Sequence, residues 1–332
     1  MRNLNQQGVQ FEIHNESSRG RISSYGSKPH PYKLNKAEAV DINGLPSSAR
    51  VNVADDFSSI FTIGMEFEKN RFHRSAVQEY PLLCGFEHDG SCGAEAVTHI
   101  LPLVDKSMWR TKVFNMFHQA KKIINDEFSP SNRKCGGHIT LGVKDMSGRE
   151  LSDRMKKFSG LVYAIYRHRV NNYFCRGNIT MDTSAEWSTK YTIANYKTLD
   201  GDGVVEFRVP SRFTSVKQTI RRYEFFYQLI DFAVNKQNSS LHHFCNAVKP
   251  ILLSMFNNDA EKVAKTIALA KKMQKVINGS KMDLEMVGWF EGWWSNDREL
   301  TYQFGGRRGC YKRGYTPNEY TDVRKFKEEF YF

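Results

Sequence analysis

The 332-residue sequence has no uninterrupted apolar run of about 18 residues, the length that a membrane-spanning helix requires. Residues 1–10 are polar and lack the apolar core of a secretory signal peptide. The sequence therefore gives no support to the membrane-spanning and secreted classes. We expect a cytoplasmic protein that does not enter a membrane.

Cysteine is sparse, and its spacing is uninformative. The six cysteines are scattered along the chain, and no two form a C-x-x-C pair. Structural zinc sites need closer spacing, and disulfide frameworks belong to oxidising compartments. We expect reduced thiols with mainly structural roles. No internal repeat is present, and no serine or cysteine lies in a recognisable nucleophile motif.

Positive charge is what the composition has in excess. The chain carries 48 lysines and arginines against 36 acidic residues, a formal net charge of +12. This excess attracts anionic partners such as nucleic acid, a nucleotide or an acidic polymer, and it is equally typical of a solvated basic surface. With 40% hydrophobic residues, the chain can bury one large core or two small ones.

Patterning divides the chain into three regions. Residues 1–57 form a polar arm, residues 58–235 interleave strands and helices, and residues 236–332 hold a helical block and an aromatic, Gly/Arg-rich tail. Strands are predicted at 61–68, 94–100, 137–143, 189–196 and 204–209. Helices are predicted at 106–128, 152–171 with Ser152 as N-cap, 215–235, 240–256 and 259–278. This order indicates an α+β fold with an antiparallel or mixed sheet.

Three of these strands combine an apolar face with an unusual polar face. In strand 61–68, aromatic and aliphatic residues alternate with a series that ends in Glu66 and Glu68, so the two carboxylates share a face. Strand 137–143 carries His138 on its polar face, and strand 204–209 carries Glu206 and Arg208. If the strands share one sheet, these groups converge on a surface suited to divalent cations and phosphate.

Each of these signals also has a simpler interpretation. Two glutamates on a strand are commonly solvated at an exposed edge. His138, which follows two glycines, fits a hydrogen-bonded core histidine as well as a ligand. Glu206 and Arg208 fit a weak ion pair on one face. The turn from Asp89 to the strand that carries Glu95 fits an ordinary glycine turn.

The order of the motifs resembles the glutamine-synthetase-like superfamily of carboxylate–amine ligases, and in particular the amidoligase family of bacterial and phage genomes. The matching blocks are Gly64-Met65-Glu66-Phe67-Glu68, Asp89-Gly90-Ser91 with Glu95, Cys135-Gly136-Gly137-His138-Ile139, Tyr173-Phe174-Cys175, Lys190-Tyr191-Thr192-Ile193-Ala194-Asn195, and Val205-Glu206-Phe207-Arg208. The resemblance spans roughly residues 60–235. No single block is specific, but six in this order are.

The resemblance implies a curved, mainly antiparallel sheet with flanking helices, the glutamine-synthetase-like catalytic domain, whose concave face binds ATP with Mg²⁺ or Mn²⁺. The implied metal ligands are Glu66, Glu68, Glu95, His138 and Glu206. The implied catalytic residues are Arg208, which faces the transferring phosphoryl group, and Asp89. The implied ATP-binding residues are His138, Arg208 and Lys190.

Two positions depart from the family pattern. Thr140 stands where the family often has a second histidine, and Lys190 takes the place of a strand arginine. We therefore expect one metal site, or a substrate contact near it, to be weakened.

The implied function is an ATP-dependent ligase that joins a small-molecule or peptide carboxylate to an amine through an acyl phosphate. The alternative is a basic nucleic-acid- or virion-associated binding protein on a ligase-like fold. Its support is the net charge and the Arg/Gly/aromatic tail at residues 304–315. Carboxylates at all four acidic metal positions favour the enzyme. A kinase-like use of the same fold, stopping at phosphoryl transfer, is a third interpretation.

Overall fold

The computed structural model describes residues 61–72, 82–87, 92–98, 101–132, 135–167, 169, 193–196 and 203–279. The strands in this part of the chain are β1 (Phe61–Lys69), β2 (Leu83–Glu87), β3 (Ala94–Thr98), β4 (Leu101–Pro102), β5 (Ile139–Val143), β6 (Ala194–Asn195) and β7 (Val204–Phe207). The helices are α1 (Met108–Gln119), α2 (Lys121–Ile124), α3 (Gly148–Lys156), α4 (Ser159–Ile165), α5 (Val216–Val234), α6 (Leu241–Met255) and α7 (Ala260–Gly279). The fold is α+β, with a mainly antiparallel sheet and flanking helices. None of the described helices combines the length and apolar composition that crossing a membrane requires.

The chain divides into two compact units that alternate along the sequence. The first unit comprises Met1–Gly148, Leu199–Glu206 and Ser211–Tyr227. The second comprises Arg149–Thr198, Phe207–Pro210 and Gln228–Phe332. The region boundaries at 57/58 and 235/236 stay predictions from the sequence.

In the first unit, β1 is the central strand of an antiparallel sheet. β3 pairs with one part of β1, where Glu68 faces Glu95, and β5 pairs with the other part, where Met65 faces Ile139. β4 also pairs with β1, β2 lies beyond β3, and β7 lies beyond β5. Every residue of β1 is buried. The interpretation of the two β1 glutamates as solvated residues on an exposed edge is therefore wrong.

Helix α5 packs against the face of β1 opposite the glutamates. The ring of Phe61 lies 6.3 Å from that of Tyr227 in α5. Tyr223, one turn earlier in α5, donates its hydroxyl to the Pro102 carbonyl at 2.8 Å. Burial of large apolar side chains of this kind stabilises a fold by about 1.5–3 kcal/mol each. The helical layer thus leaves the glutamate face of β1 as the side on which a site can form.

The second unit is held together by helix packing and an aromatic cluster. The rings of Phe158, Phe232 and Phe244 contact one another at centroid distances of 5.2–5.7 Å. Gly160 of α4 passes so close to α7 that an added Cβ would lie 2.6 Å from the Ala270 carbonyl oxygen. β6 and the last residue of β7 also belong to this unit.

The predicted helices of the last third match the structure closely, since α5, α6 and α7 differ from 215–235, 240–256 and 259–278 by one residue at each end. Ser240 caps α6, because its side-chain oxygen accepts a hydrogen bond from the His243 N–H. Strand β2 was missed. Most of predicted strand 189–196 lies outside the described residues.

The two earlier helix predictions are wrong, because two shorter helices stand where each single helix was predicted. Predicted helix 106–128 is two helices that meet at Ala120, and predicted helix 152–171 is replaced by α3 and α4. Ser152 is buried within α3 rather than capping a helix. The gap between α3 and α4 is held by long-range contacts, because Lys157 donates to the Gln237 carbonyl at 2.5 Å and Phe158 joins the aromatic cluster.

Lys69, the last residue of β1, is completely buried and anchors this end of the strand. Its ammonium donates to the carbonyls of Ile124 and Phe213, both at 2.7 Å, and to Asp126 Oδ1 at 2.8 Å. Burial lowers the pKa of Lys69, and the hydrogen bond to Asp126 partly opposes that shift. These three bonds fix the end of β1 to the end of α2 and to the segment before α5.

Replacing Lys69 with Met is expected to lower the free energy of unfolding by about 2 kcal/mol, because two buried carbonyls and Asp126 lose their donor. The loss is moderate because Asp126 is 30% exposed and keeps contact with water. Urea denaturation measures this change. The matched control is Lys236→Met, because Lys236 pairs with Asp231 at 2.8 Å while 48% exposed. Equal losses in both variants would contradict an anchoring role for Lys69.

Candidate metal centre

Three ligand-type side chains meet on the glutamate face of the sheet. The Glu66 N–H donates to the His138 carbonyl at 3.1 Å, so the β1–β5 register continues and places the two side chains next to each other. His138 Nδ1 lies 2.5 Å from Glu66 Oε2 and 3.7 Å from Glu206 Oε1. One ligand atom from each residue lies within 4.8 Å of the other two. We call Glu66, His138 and Glu206 the EHE group.

Glu68 contacts the other nitrogen of the same imidazole. Its Oε1 lies 3.2 Å from His138 Nε2, and its Oε2 accepts the Gly136 N–H at 2.5 Å. Histidines that bind metals usually donate their second N–H to a carboxylate, which fixes the tautomer and the ring orientation. In this arrangement Nδ1 is the nitrogen directed at the EHE carboxylates. The geometry favours an orienting role for Glu68, and its role as a metal ligand stays a prediction.

The cluster is deeply buried. Glu66, Glu68, His138 and Glu206 are each 3% exposed. Carboxylates this close together repel one another, and a divalent cation between them turns that repulsion into attraction. Carboxylate oxygens suit Mg²⁺ and Mn²⁺, and one imidazole nitrogen favours the transition metal of the two. The donor set therefore fits a divalent cation, with Mn²⁺ preferred.

Two further positions lie on the same face. Glu95 of β3 is the register partner of Glu68 and is 5% exposed. Thr140 of β5 is the register partner of Gly64, two residues from Glu66 on the same side of β1. A role for Glu95 as a ligand stays a prediction, and Thr140 offers a hydroxyl where the family often has an imidazole.

The remaining predicted site residues are Arg208, Asp89 and Lys190. Arg208 follows β7 in the second unit, is buried, and donates its backbone N–H to the Ile193 carbonyl at 3.0 Å. Asp89 and Lys190 lie outside the described residues. The catalytic and ATP-binding roles of these three residues stay predictions.

The two glycines before His138 are required by protein packing. A Cβ on Gly136 would lie 3.0 Å from His138 Nε2 and 3.2 Å from Glu68 Oε1. A Cβ on Gly137 would lie 2.5 Å from the Ser211 carbonyl oxygen. Protein atoms fill the space at both positions, so these glycines do not leave room for a bulky ligand.

Sequence patterns did not identify Arg222, which holds Ser211 next to the glycine segment. Arg222 is 2% exposed and donates to the Ser211 carbonyl at 2.6 Å and to the Ser211 hydroxyl at 2.9 Å. Ser211 in turn bridges to Gly136 in an antiparallel pairing. Arg222 follows Thr219 by three residues and precedes Phe226 by four on the buried face of α5. The sequence signal for a buried Arg222 was a charged residue within the apolar face of this helix.

Replacing Gly136 with Ala is expected to lower the affinity of the EHE group for Mn²⁺ about tenfold, the low end for loss of a group that orients a ligand. The new methyl group would displace Glu68 or the His138 ring by a few tenths of an ångström. Titration by Mn²⁺ electron paramagnetic resonance measures the affinity. The control is Gly137→Ala, which should mainly lower Tm because its methyl group meets the Ser211 backbone. Unchanged Mn²⁺ affinity in Gly136→Ala would contradict this account of the site.

Comparison with known proteins adds little. No protein-family model matches the chain, and no curated protein sequence matches it. Among solved structures, one described as "GmaS/ADP complex-Conformation 1" aligns with a TM-score of 0.34 and 10% sequence identity. That alignment covers 73% of this chain and 75% of the other. A likeness at this TM-score carries no argument, so the function has to be argued from the site.

Proposed function

We propose that this protein is an ATP-dependent carboxylate–amine ligase that binds a divalent cation at the EHE group. The observation that carries the proposal is the convergence of two buried carboxylates, from β1 and β7, and the imidazole that directly precedes β5, with one ligand atom of each within 4.8 Å of the others. The motif order that resembles the amidoligase family supports the same conclusion independently. The glutamine-synthetase-like architecture of the sheet is part of this proposal.

The residues of the cluster have two kinds of role. Glu66, His138 and Glu206 hold the cation, and Glu68 orients the His138 ring through Nε2. When bound, the cation screens the negative charges of the triphosphate and of the substrate carboxylate, which otherwise repel each other. Glu95 is a further ligand, and Asp89 and Lys190 contribute at the catalytic and ATP sites as the resemblance implies.

The proposed reaction has two steps and needs no protein nucleophile. A carboxylate oxygen of the substrate attacks the γ-phosphorus of ATP, a P–O bond forms, and ADP leaves. The amine nitrogen then attacks the acyl carbon and loses a proton, the C–N bond forms, the C–O bond to the phosphoryl group breaks, and inorganic phosphate leaves. Arg208 stabilises the equatorial oxygens of the phosphoryl group during its transfer. The substrates are small-molecule or peptide acids and amines.

ATP with Mg²⁺ is expected to raise Tm clearly, whereas ATP with a chelator should raise it little. By mass action, a ligand at a hundred times its Kd stabilises the folded state by about 2.7 kcal/mol. Differential scanning fluorimetry over an ATP series measures the effect. Equal stabilisation by DNA or RNA of any sequence, lost at moderate salt, would instead support the nucleic-acid-binding alternative.

The activity itself is tested by phosphate release. Pairs of amino acids and short peptides are incubated with ATP and either Mg²⁺ or Mn²⁺, and both phosphate and ADP are quantified. Phosphate release that requires both an acid and an amine supports the ligase. ADP formation with a stably phosphorylated product would contradict it and support the kinase-like interpretation.

A further inference from the structure

Buried cations bind three successive carbonyl groups in the residues Ser211–Phe213, which we call the backing segment. The Arg222 guanidinium donates to the first carbonyl at 2.6 Å and to the second at 3.3 Å. The Lys69 ammonium donates to the third carbonyl at 2.7 Å. Both cations are buried. Hydrogen bonds from charged donors are stronger than neutral ones, so these bonds hold the backbone of the segment in one position.

The backing segment lies directly against the two glycines that precede His138. Ser211 pairs with Gly136 in an antiparallel bridge. A Cβ on Gly137 would lie 2.5 Å from the Ser211 carbonyl oxygen and 2.8 Å from the Phe213 ring. Because the space between the two backbones is too small for a methyl group, a shift of the backing segment displaces the glycines with it.

The backing segment also contacts β1 through the side chain of Phe213. Its ring meets that of Phe67 edge to face, with the centroids 4.7 Å apart. The Arg222 guanidinium lies 4.5 Å from the centroid of the same Phe213 ring. Phe67 stands between Glu66 and Glu68 in the sequence of β1. Arg222 therefore packs on a side chain that touches both β1 and the glycine segment before β5.

We propose that Arg222 is a positioning residue for the EHE group and acts through the backing segment and Gly136. This role rests on the proposed function, because it concerns the proposed cation site. The Gly136 N–H donates to Glu68 Oε2 at 2.5 Å, and a Cβ on Gly136 would lie 3.0 Å from His138 Nε2. Without the bonds from Arg222 the backing segment moves, and Gly136 moves with it. The carboxylate that orients the His138 imidazole is then displaced.

The first experiment measures Mn²⁺ affinity by electron paramagnetic resonance, at a temperature at which all variants are folded. Arg222→Met should bind Mn²⁺ about tenfold more weakly than wild type, the low end for loss of a group that orients a metal ligand. Arg222→Lys should recover part of the affinity, because it keeps a charged donor for the Ser211 carbonyl but loses the planar fork. Wild-type affinity in Arg222→Met overturns the proposal.

The matched control is Arg110→Met. Arg110 is also a buried arginine of the first unit, donates to the Val104 carbonyl at 2.8 Å, and lies 4.8 Å from the centroid of the Tyr227 ring. Its replacement should lower Tm about as much as Arg222→Met does and leave Mn²⁺ affinity unchanged. An equal loss of affinity in both variants would show a general loosening of the unit and overturn the proposal.

A double-mutant cycle with Glu68→Gln tests the route of the effect. If Arg222 acts through the carboxylate of Glu68, Arg222→Met should cost about tenfold in the wild-type background and less than about twofold in the Glu68→Gln background. Additive losses overturn this route, and with it the proposal.

The amide proton of Gly136 gives a measurement that needs no metal. Its hydrogen bond to the Glu68 carboxylate moves the resonance downfield. In protein labelled with ¹⁵N-glycine, Arg222→Lys should shift this resonance upfield and Arg110→Lys should not, even if Arg222→Met does not fold. An unchanged resonance in Arg222→Lys overturns the proposal. Wild-type protein that binds no Mn²⁺ overturns the proposed function, and the Gly136 resonance then decides whether Arg222 positions the cluster.

Discussion

Replacing Glu206 with Gln is expected to lower the affinity for Mn²⁺ by about a thousandfold, or about 4 kcal/mol. The amide keeps the shape of the side chain but removes an anionic ligand from a group of three. Glu206 is 3% exposed, so little water can take the place of the missing oxygen. The loss should therefore exceed the 10–100-fold typical of groups that only orient a ligand. Calorimetric titration or Mn²⁺ electron paramagnetic resonance measures it.

The matched control for this change is Glu261→Gln on α7. The Glu261 side chain is 77% exposed and pairs with Lys265 one helical turn away, so its loss should leave Mn²⁺ binding unchanged. Glu206→Gln should also abolish the cation-dependent part of the stabilisation by ATP. A Glu206→Gln variant that keeps wild-type Mn²⁺ affinity would show that the EHE group is a structural cluster and not a metal centre.

Replacing Arg208 with Lys is expected to lower turnover by about a hundred- to a thousandfold, or about 3–4 kcal/mol in activation free energy, the usual result of losing one preorganised electrostatic contact. Lysine keeps the charge but loses the planar fork that can meet two phosphoryl oxygens at once. Because the proposed contact would be strongest in the transition state, ATP affinity should be nearly unchanged. Steady-state kinetics together with equilibrium ATP binding measure the two effects separately.

The control for Arg208 is Arg154→Lys on α3. Arg154 pairs with Glu150 at 2.7 Å on the surface, and its replacement should leave turnover and ATP affinity unchanged. A fall in ATP affinity with unchanged turnover would place Arg208 in ground-state binding. Wild-type behaviour in both measurements would refute its assignment to the phosphoryl group.

Local periodicity explains what the sequence predicted well. The alternation in residues 61–68 predicted β1 and placed Glu66 and Glu68 on one face, because side-chain direction in a strand depends only on its neighbours. The last three helices were likewise predicted within a residue at each end, since their apolar stripes and caps are local signals. The coarse α+β class with a mainly antiparallel sheet is confirmed.

The burial of Glu66 and Glu68 depends on partners that are distant in sequence, so local periodicity could not predict it. Glu66 and Glu68 are buried because β3 and β5 pair with β1, and nothing within residues 61–68 distinguishes a central strand from an edge strand. The break after α2 has a similar origin. Asn125 accepts from the Val216 N–H, and the Asp126 N–H donates to the Thr214 carbonyl, so contacts with a remote segment end the helix.

The alternation of residues in β1 also contains a signal for the burial of Lys69. It continues the odd-numbered apolar series of β1, so its side chain falls on the core face. Its partners are a side chain and two carbonyls from remote segments, which pattern analysis does not identify.

The position of β1 also determines how quickly its backbone amides exchange with solvent deuterium. The strand has neighbours along both edges, buried side chains on both faces and a buried ammonium that anchors its last residue. Its amides should therefore exchange only when the first unit unfolds as a whole, which is its rarest opening. If the EHE group binds a cation as proposed, the arriving ion would meet ligands whose backbone is already in place. We would then expect the loss of the ion's own water molecules, and not a rearrangement of the strand that holds Glu66, to set the rate of binding.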